Sequence, residues 1–499
     1  MEAWDQNLGG GWYERGLRAI LKKILIATFK ERARRWEHEL GARLRSLGHD
    51  VYFEQVEGRP PMPFLDAVLA LEARRGGPSS ASLTSPPPAD HLPDTLDLLI
   101  DLTGKASPRG LPLLTIDING CPYLPEAFPL LRSGSGLVDI TARLDGKPIG
   151  CAFPMISDKA WLARDANEVL AAAQSLIVHV IARFEAGRLE AVRAAQVERA
   201  PRFLAPGYIE RLVISLGGRA LRKLRPGHRE FSWQTAYRFI DGPGIAEDKT
   251  IAGPPFTVLA DDGQRFYADP FPMEHGGRHY LFVEEYPYAR GRGIISVAEL
   301  GEDGKFGRPR PVLEEPYHLS YPNVFAREGS IFMIPESGSA GQVVLYRAQS
   351  FPDRWVRDTV LIEGRNFNDA TLLEHQGRLW MFGTERFGSG SASDTMMIYS
   401  ADNLRGPWEP HPLNPIVIDR AGARPGGNII YMAGKIFLPV QDGTEFYGGG
   451  LGLREIVRLD ASDVQLGPVL PIRESISQTR ARIHTLNRAG RLEVIDSPR

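Results

Sequence analysis

A chain of 499 residues is too long for one ordinary hydrophobic core and should divide into two or three domains. Its 43% apolar and 24% charged residues are those of a soluble globular protein, and 59 Lys and Arg against 61 Asp and Glu leave no global field to attract nucleic acid. Two cysteines, Cys121 and Cys151, without CxxC spacing, argue against a disulfide framework or a zinc cluster and for a reducing compartment; no metal or cofactor is expected.

The first 29 residues hold a short apolar run broken by Lys22 and Lys23, without the full apolar core or small-residue cleavage site of a signal peptide. No stretch reaches the roughly 20 apolar residues that span a bilayer, so a cytoplasmic location is expected, with a peripheral membrane position as an extension of it. Residues 22–57 read as strand, helix, strand. KKILIATF leads into a helix with Ala33, Trp36, Leu40, Leu44 and Leu47 at helical spacing, Gly48 ends it, and HDVYFEQV follows. Residues 76–95, rich in Gly, Ser and Pro, read as a flexible linker or surface loop. Strands over 97–104 and 112–120 and a long helix over 166–195 complete an open α/β sheet within residues 1–200.

That order of elements, with LLTIDINGCPYLP, resembles the N-terminal domain of the formyltransferases, including those acting on amino sugars. The resemblance implies an Asn and a catalytic His; Asn119 is the matching Asn, and no His stands near it in the sequence. Formyl transfer without an imidazole lacks its general acid–base, so an inactive scaffold domain is expected. Residues 201–229 form a basic helical connection. Leu212, Val213, Leu216, Leu221 and Leu224 can share a face opposite Arg211, Arg219, Arg222, Lys223 and Arg225. The pattern suits an anionic membrane surface or a helix packed on the next domain with its basic face in water. Gly217-Gly218 works against one long helix.

From 230 to 499 the chain repeats itself. Five segments align on a turn glycine, Gly277, Gly329, Gly377, Gly434 and Gly490, spaced 52, 48, 57 and 56 residues apart. Each reads as strand, tight turn, strand, at blade length for a four-stranded propeller repeat. A strand from 231–240 would close the last blade, making a five-bladed β-propeller. Innermost strands line a propeller's axis, so residues at one blade position converge there. Eight residues before the glycine stand Asp269, Tyr321 and Asp369, with Arg424 and His484 near the same place in the last two repeats. Eight residues after it stand Glu285, Ser337, Glu385 and Asp442, with Glu284 and Glu336 one step earlier. Acids directed at a channel must be paired, hydrated or used.

YADPF with the following YLFVEE resembles the first blade of the five-bladed glycoside hydrolases of family 43. That resemblance implies three axial carboxylates, with Asp269 as general base. The second-blade Asp is replaced by Tyr321-Pro322-Asn323, and Asp369 or Glu385 must supply the acid. A fuller set of motifs, ADPFPMEHGGRHYLFVEE, SYPNVF, IPES, NDATLLEHQGRLWMF, RPGGN, Gln441-Asp442 with Tyr447-Gly448, and IHTLN, is similar to the propeller of plant glucosamine inositolphosphorylceramide transferases. The expected protein transfers, or less readily hydrolyses, a glycosyl group in cell-surface glycan or glycolipid biosynthesis. Asp269, Asp369 and Glu385 are the catalytic candidates, and Glu285, Tyr321, Asn323, Glu336, Arg424, Asp442, Tyr447 and His484 would bind substrate. Expected partners are a carbohydrate or sugar nucleotide and a lipid-linked glycan at a membrane surface. The alternative is a non-catalytic glycan-binding or scaffold protein.

Overall fold

The structure, a computed structural model, describes residues 21–59, 63–76, 79–121, 137–157, 161–194, 210, 212–218, 221, 232–474 and 480–499. The N-terminal run before Leu21 and most of the 201–229 connection lie outside the described residues.

Apolar runs set the first layer. β1 (Lys23–Phe29) buries six of its seven residues, the pattern of a strand covered on both faces. It pairs in parallel with β2 (Asp50–Val56) and β3 (Leu98–Asp101), and β4 (Leu113–Ile118) continues in parallel beside β3. β5 (Ile140–Leu144) and β6 (Lys147–Ala152) add antiparallel strands, giving the order β2-β1-β3-β4-β5-β6. α1 (Arg35–Ser46) links β1 to β2 and buries Trp36, Leu40 and Leu44. α2 (Pro63–Gly76) and α3 (Leu162–Glu185) complete the helical cover, and α3 packs Val169, Leu176 and Ile177 into the same core.

Two expectations for this part are corrected. Residues 79–84 are no loose linker: Ser79, Ser80 and Ala81 are buried. Ser79 Oγ donates to Asn167 on α3 at 2.7 Å, Ser80 Oγ to Glu39 on α1 at 2.7 Å, and Leu83–Thr84 pairs with Ala33–Arg34. Small polar residues here satisfy helix surfaces instead of solvating a tether. The helix expected over 166–195 starts earlier and ends at Glu185. Gly187, at φ +64°, and Arg188 turn back, their amides donating to the carbonyls of Phe184 and Arg183. Val192, which kept the helical spacing, instead donates its amide to Pro148 O at the edge of β6.

The C-terminal part is a five-bladed β-propeller. Blade I comprises Arg265–His275, Arg278–Pro287, Ile294–Glu299 and Arg310–Leu313; blade II comprises Ser320–Arg327, Ser330–Glu336, Gln342–Ser350 and Arg354–Glu363. Blade III holds Phe367–His375, Arg378–Glu385, Thr395–Ala401 and Glu409–Pro410, and blade IV holds Ile430–Met432, Lys435–Gln441, Leu451–Leu459 and Val464–Pro471. Blade V joins Thr485–Ala489 and Leu492–Pro498 to Trp233–Phe239 and Thr257–Val258 from the other end of the domain. The five turn glycines all have positive φ, from 57° to 75°, and in the first four hairpins the residue before them does too. That is the type I′ turn, whose twist matches paired strands. Apolar clusters fill each of the five seams between neighbouring blades.

Closure of the ring rests on blade V, where Leu492–Pro498 pairs residue for residue with Trp233–Phe239. A buried ion pair crosses that seam: Arg238 Nη2 lies 2.6 Å from Glu493 Oε2, both side chains being no more than 3% exposed. The remaining guanidinium hydrogens go to the carbonyls of Ala252 and Pro254, and Glu493 Oε1 accepts Ile245 N.

The sheet domain docks on blades III and IV. Phe153 N donates to Ile418 O and Arg420 N returns a bond to Phe153 O. Asp394 Oδ2 accepts Met155 N at 3.0 Å, His179 meets Pro415 O at 2.8 Å, and the Arg43 guanidinium stacks 3.7 Å from the Phe387 ring centre.

Two outcomes follow from these contacts. Arg238→Met leaves the Glu493 carboxylate buried without its cation and should cost about 3–5 kcal/mol in urea unfolding, most of it recovered in Arg238→Met/Glu493→Leu. Burial pushes the Asp394 carboxyl from 3.8 up to about 7. The fold therefore favours the protonated acid, and the stability this contributes is full below 3.8 and lost as pH rises through 7. Asp394→Asn should gain on the parent protein in thermal melts between pH 4 and pH 8 (about four units apart), and an unchanged difference would refute the assignment.

Candidate functional site on the propeller axis

The inner strands deliver their side chains to the axis through a shared backbone device. Asp269, Tyr321 and Asp369, each eight residues before its turn glycine, sit at φ 47°, 44° and 52°. Each lies in a β-bulge, where the pairing register slips between Ala268 and Phe271, Ser320 and Asn323, and Asn368 and Thr371. A bulge re-aims one side chain without breaking the hairpin. Left-handed backbone is tolerable for Asp but costs on the order of 1–2 kcal/mol for a bulky residue, so Tyr321 must be held there. It is held at both ends: its amide donates to Asp269 Oδ2 at 3.1 Å, and its hydroxyl accepts Gly427 N at 2.8 Å and lies 2.8 Å from Thr371 Oγ1. Gly427 can approach because it has no side chain; at φ +145° a Cβ would stand 2.1 Å from Leu486 O.

Above this plug lies a cavity of about 130 Å³ lined by Asp269, Glu284, Glu336, Arg424, His484, Tyr447, Trp233, Phe266, Tyr286, His318, Ala268 and Ser320. Glu284 and Glu336 reach it because each stands seven residues after its turn glycine. The eighth residue points to the other face of the strand, since side chains alternate. Glu285, Glu385 and Asp442 occupy that eighth position, and each is paired with an arginine: Arg265, Arg365 at 3.1 Å and Arg480 respectively. Glu285 also accepts Ser296 Oγ at 2.6 Å. Glu385 lies near Arg43 of α1 at the seam with the sheet domain, and burial raises its carboxyl against the pull of Arg365.

The expected site thus divides. Asp269, Glu336, Arg424, Tyr447 and His484 line the cavity. Asp369 lies on the axis beside it, clasped by Arg424 Nε at 2.6 Å and Nη2 at 3.1 Å and by Gln441 Nε2 at 2.7 Å. Glu285, Glu385 and Asp442 are drawn away to their arginines. Tyr321, with no exposed surface, has no face to offer a sugar, and Asn323 spends its amide on Ala370 O between blades II and III. Glu284, His318 and the aromatic residues Trp233, Phe266 and Tyr286 are the principal additions. Glu284 was readable from the repeat once its one-residue offset is respected, whereas Trp233 comes from the closing strand, outside every aligned segment.

Charge in the cavity is unbalanced. His484 Nδ1 stands 3.2 Å from Asp496 Oδ2 and 3.3 Å from Asp269 Oδ1, and its Nε2 lies 3.1 Å from the Tyr447 hydroxyl. Burial alone would discharge the imidazole; Tyr447, Asp496 and Asp269 outweigh it and hold the ring protonated, well above the usual histidine range. Arg424 is kept charged against burial by Asp369. Both cations are therefore engaged. Burial, with Asp269 and Glu336 nearby, raises Glu284 well above the carboxylate range, and burial with Asp369 pushes Glu336 up to about 6 against Arg424. Burial also raises Asp269, whose Oδ1 is close to His484 but misaligned, and accepts no hydrogen bond among the described residues.

Asp269, His484 and Asp496 bring three donor atoms within 4.8 Å of one another, close enough to hold a metal ion. Asp496 already accepts Asp269 N, Thr485 N and Thr485 Oγ1, so an ion there would compete with three hydrogen bonds that hold the ring. The roomier cleft, about 680 Å³ between β6, α3 and blades III and IV, holds balanced charge, with Arg188 on Asp463 at 3.1 Å and Arg454 near Asp419 at 3.5 Å.

Fold and site together define a five-bladed propeller with an acidic, aromatic-walled axial pocket. Residues 255–491 match the family model described as "Glucosamine inositolphosphorylceramide transferase 1, N-terminal". The chain is 34% identical over 195 residues to glucosamine inositolphosphorylceramide transferase 1 of Arabidopsis thaliana, covering 38% of this chain and 25% of that protein. It is 34% identical over 209 residues to the protein of that name from Oryza sativa subsp. indica, covering 41% and 28%. The chain thus spans about a quarter of the length of these relatives. Among solved structures it is similar to Zg3597, a family 117 glycoside hydrolase of Zobellia galactanivorans, at TM-score 0.34 and 14% identity over 54% of this chain and 91% of that one. The exo-β-1,3-galactanase 1,3Gal43A of Clostridium thermocellum gives TM-score 0.33 and 14% identity over 41% and 49%.

Tyr321→Phe removes the acceptor of Gly427 N and the partner of Thr371. It should cost about 1–3 kcal/mol in chemical unfolding while leaving sugar affinity unchanged. A loss of affinity without a loss of stability would return Tyr321 to the binding surface.

Proposed function

We propose that the axial pocket takes a single amino-sugar unit of a glycolipid or lipid-linked glycan, and that its carboxylates carry acid–base chemistry at the glycosidic bond of that unit. The observation that carries this reading is the cluster of three buried carboxyls, Asp269, Glu284 and Glu336, all raised above their usual range while Arg424 is clasped by Asp369 and the single charge of His484 is shared between Asp496 and Asp269. Such a site is short of one cation, and a sugar ammonium supplies it. Trp233, Phe266, Tyr286 and Tyr447 offer apolar faces to a pyranose ring. The cavity is well under the roughly 300 Å³ at which drug-sized pockets begin, so one small polar unit is the fitting occupant. The relatives' name, a glucosamine-transferring enzyme acting on inositolphosphorylceramide, supports the same ligand class.

Glycosyl chemistry needs one protonated and one ionised carboxyl. Glu284, the most strongly raised, is the acid in this proposal; Asp269, with its free oxygen Oδ1, is the base or charge stabiliser, and Glu336 tunes the pair. One observation favours a second reading, binding without turnover: Asp269 Oδ2 is already engaged by the Tyr321 amide. The sheet domain is read as a docking scaffold and not a formyltransferase. Asn119, buried at φ 46°, spends its carboxamide on Asp139 N and Leu137 O.

Calorimetric titration with glucosamine, N-acetylglucosamine and glucose tests the proposal. Glucosamine should bind tightest, with affinity rising as pH passes about 6 and Glu336 ionises, and Glu336→Gln should flatten that rise. Equal affinity for the three sugars would sink the ligand class. Glu284→Gln should abolish turnover of an aryl glucosaminide while retaining binding; a parent protein that binds but never turns over leaves the binding reading standing.

A further inference from the structure

His318 lines the axial pocket, and the acid–base reading leaves it without a task. It stands in the connection between blades I and II, two residues before Ser320. Gly293, one residue before the third strand of blade I, donates its amide to His318 Nδ1 at 2.9 Å and accepts Leu319 N at 3.1 Å. The fit is close: a Cβ on Gly293 would stand 2.4 Å from Leu319 O, 2.6 Å from Glu284 Oε1 and 2.8 Å from His318 Cε1. Backbone amide, imidazole and carboxyl therefore meet at one glycine, with no room for a side chain between them.

A ring nitrogen that accepts an amide hydrogen carries no proton, so the bond from Gly293 decides the tautomer. Burial, with Arg424 nearby, lowers the pKa of the ring and keeps it neutral. Its single N–H is then at Nε2, which lies 3.5 Å from Glu284 Oε1. That is longer than a formed hydrogen bond, as contacts of this kind often are before a substrate closes the site. Among the described residues the Glu284 carboxyl accepts no hydrogen bond, so Oε1 is open to this N–H. The ring itself cannot serve as a base, because a second proton would have to displace the Gly293 amide from Nδ1.

We propose that His318 is the positioning residue of the pocket: its Nε2–H donates to Glu284 Oε1, which places the acid's proton on Oε2 and steadies the carboxylate left behind when that proton passes to the glycosidic oxygen. The inference rests on the reading of Glu284 as the acid. The proton moves from Oε2 to the leaving-group oxygen, and His318 keeps its own throughout.

Two variants of the full chain separate this role from the bond to Gly293. In His318→Asn the carbonyl oxygen can take the place of Nδ1 and keep the Gly293 bond, with no donor at Nε2. In His318→Gln the amide nitrogen reaches the Nε2 position and the Gly293 bond is lost. Asp269, Glu336, Arg424, His484 and Asp496, the other charged groups around Glu284, are the same in both. The Glu284 carboxyl, followed as the infrared carbonyl band that Glu284→Gln removes, should titrate about one pH unit higher in His318→Asn, because the lost bond is stronger to the ionised form. Its kcat on an aryl glucosaminide should fall about tenfold with KM unchanged, and His318→Gln should recover most of both. An unmoved band in His318→Asn, or a larger change in His318→Gln than in His318→Asn, overturns the proposal. A parent protein that never turns over would sink the reading of Glu284 as the acid, while the infrared comparison still decides whether His318 holds it.

Discussion

The propeller is closed at its axis by one buried carboxylate. Asp496, with no exposed surface, accepts Asp269 N from blade I, Thr485 N and Oγ1 from its own blade, and stands against the His484 imidazolium. His484 in turn faces Asp269. Burial would raise this acid; His484 and the hydrogen bonds outweigh it and hold Asp496 below the usual range. A fixed negative charge at the last strand therefore keeps His484 charged, and that cation fixes the orientation of Asp269 at the mouth of the pocket. The same contacts that join the first blade to the last set the electrostatics of the cavity, so the site and ring closure cannot be altered separately.

How much of this was legible in the sequence depended on periodicity. The five turn glycines gave blade number and length because a type I′ turn demands positive φ wherever it occurs. The position eight residues before them was equally readable: Asp269 and Asp369 reach the axis as expected. The position eight residues after was not. Side chains on a strand alternate, so a one-residue offset moves a whole set to the opposite face. Glu285, Glu385 and Asp442 belong to the set that is tied to arginines, and Glu284 and Glu336 to the set that faces the axis. Arg265 and Arg365 each stand 20 residues before their acids, a repeat of the pairing that the sequence held but that the turn-glycine alignment did not reach, whereas Arg480 stands 38 residues after Asp442. Tyr321 illustrates a different limit: its replacement of an acid was visible, but its hydroxyl bond to Gly427, 106 residues on, was not.

In the sheet domain the errors have a common cause. Composition marked 79–84 as a tether because Ser and Gly are frequent in loops, yet the serines there satisfy polar groups on α1 and α3. Apolar spacing carried α3 past its end because Val192 keeps the period while Gly187 breaks the backbone. Both cases show tertiary partners overriding a local signal, and neither partner is near in sequence. The seam with blades III and IV is likewise invisible in the sequence, since Met155 and Asp394 are 239 residues apart.

Building blade V from both ends of the ring has a consequence for how the chain is made. Trp233–Phe239 emerges from the ribosome some 250 residues before its partner, Leu492–Pro498. Throughout that interval it presents an unpaired edge, the kind of surface that recruits other strands. Blades I to IV can form from hairpins local in sequence, whereas the fifth must wait for a loop of the whole domain to close. Cells that produce this protein should therefore meet its greatest risk of misassembly in the interval before Leu492–Pro498 has been made.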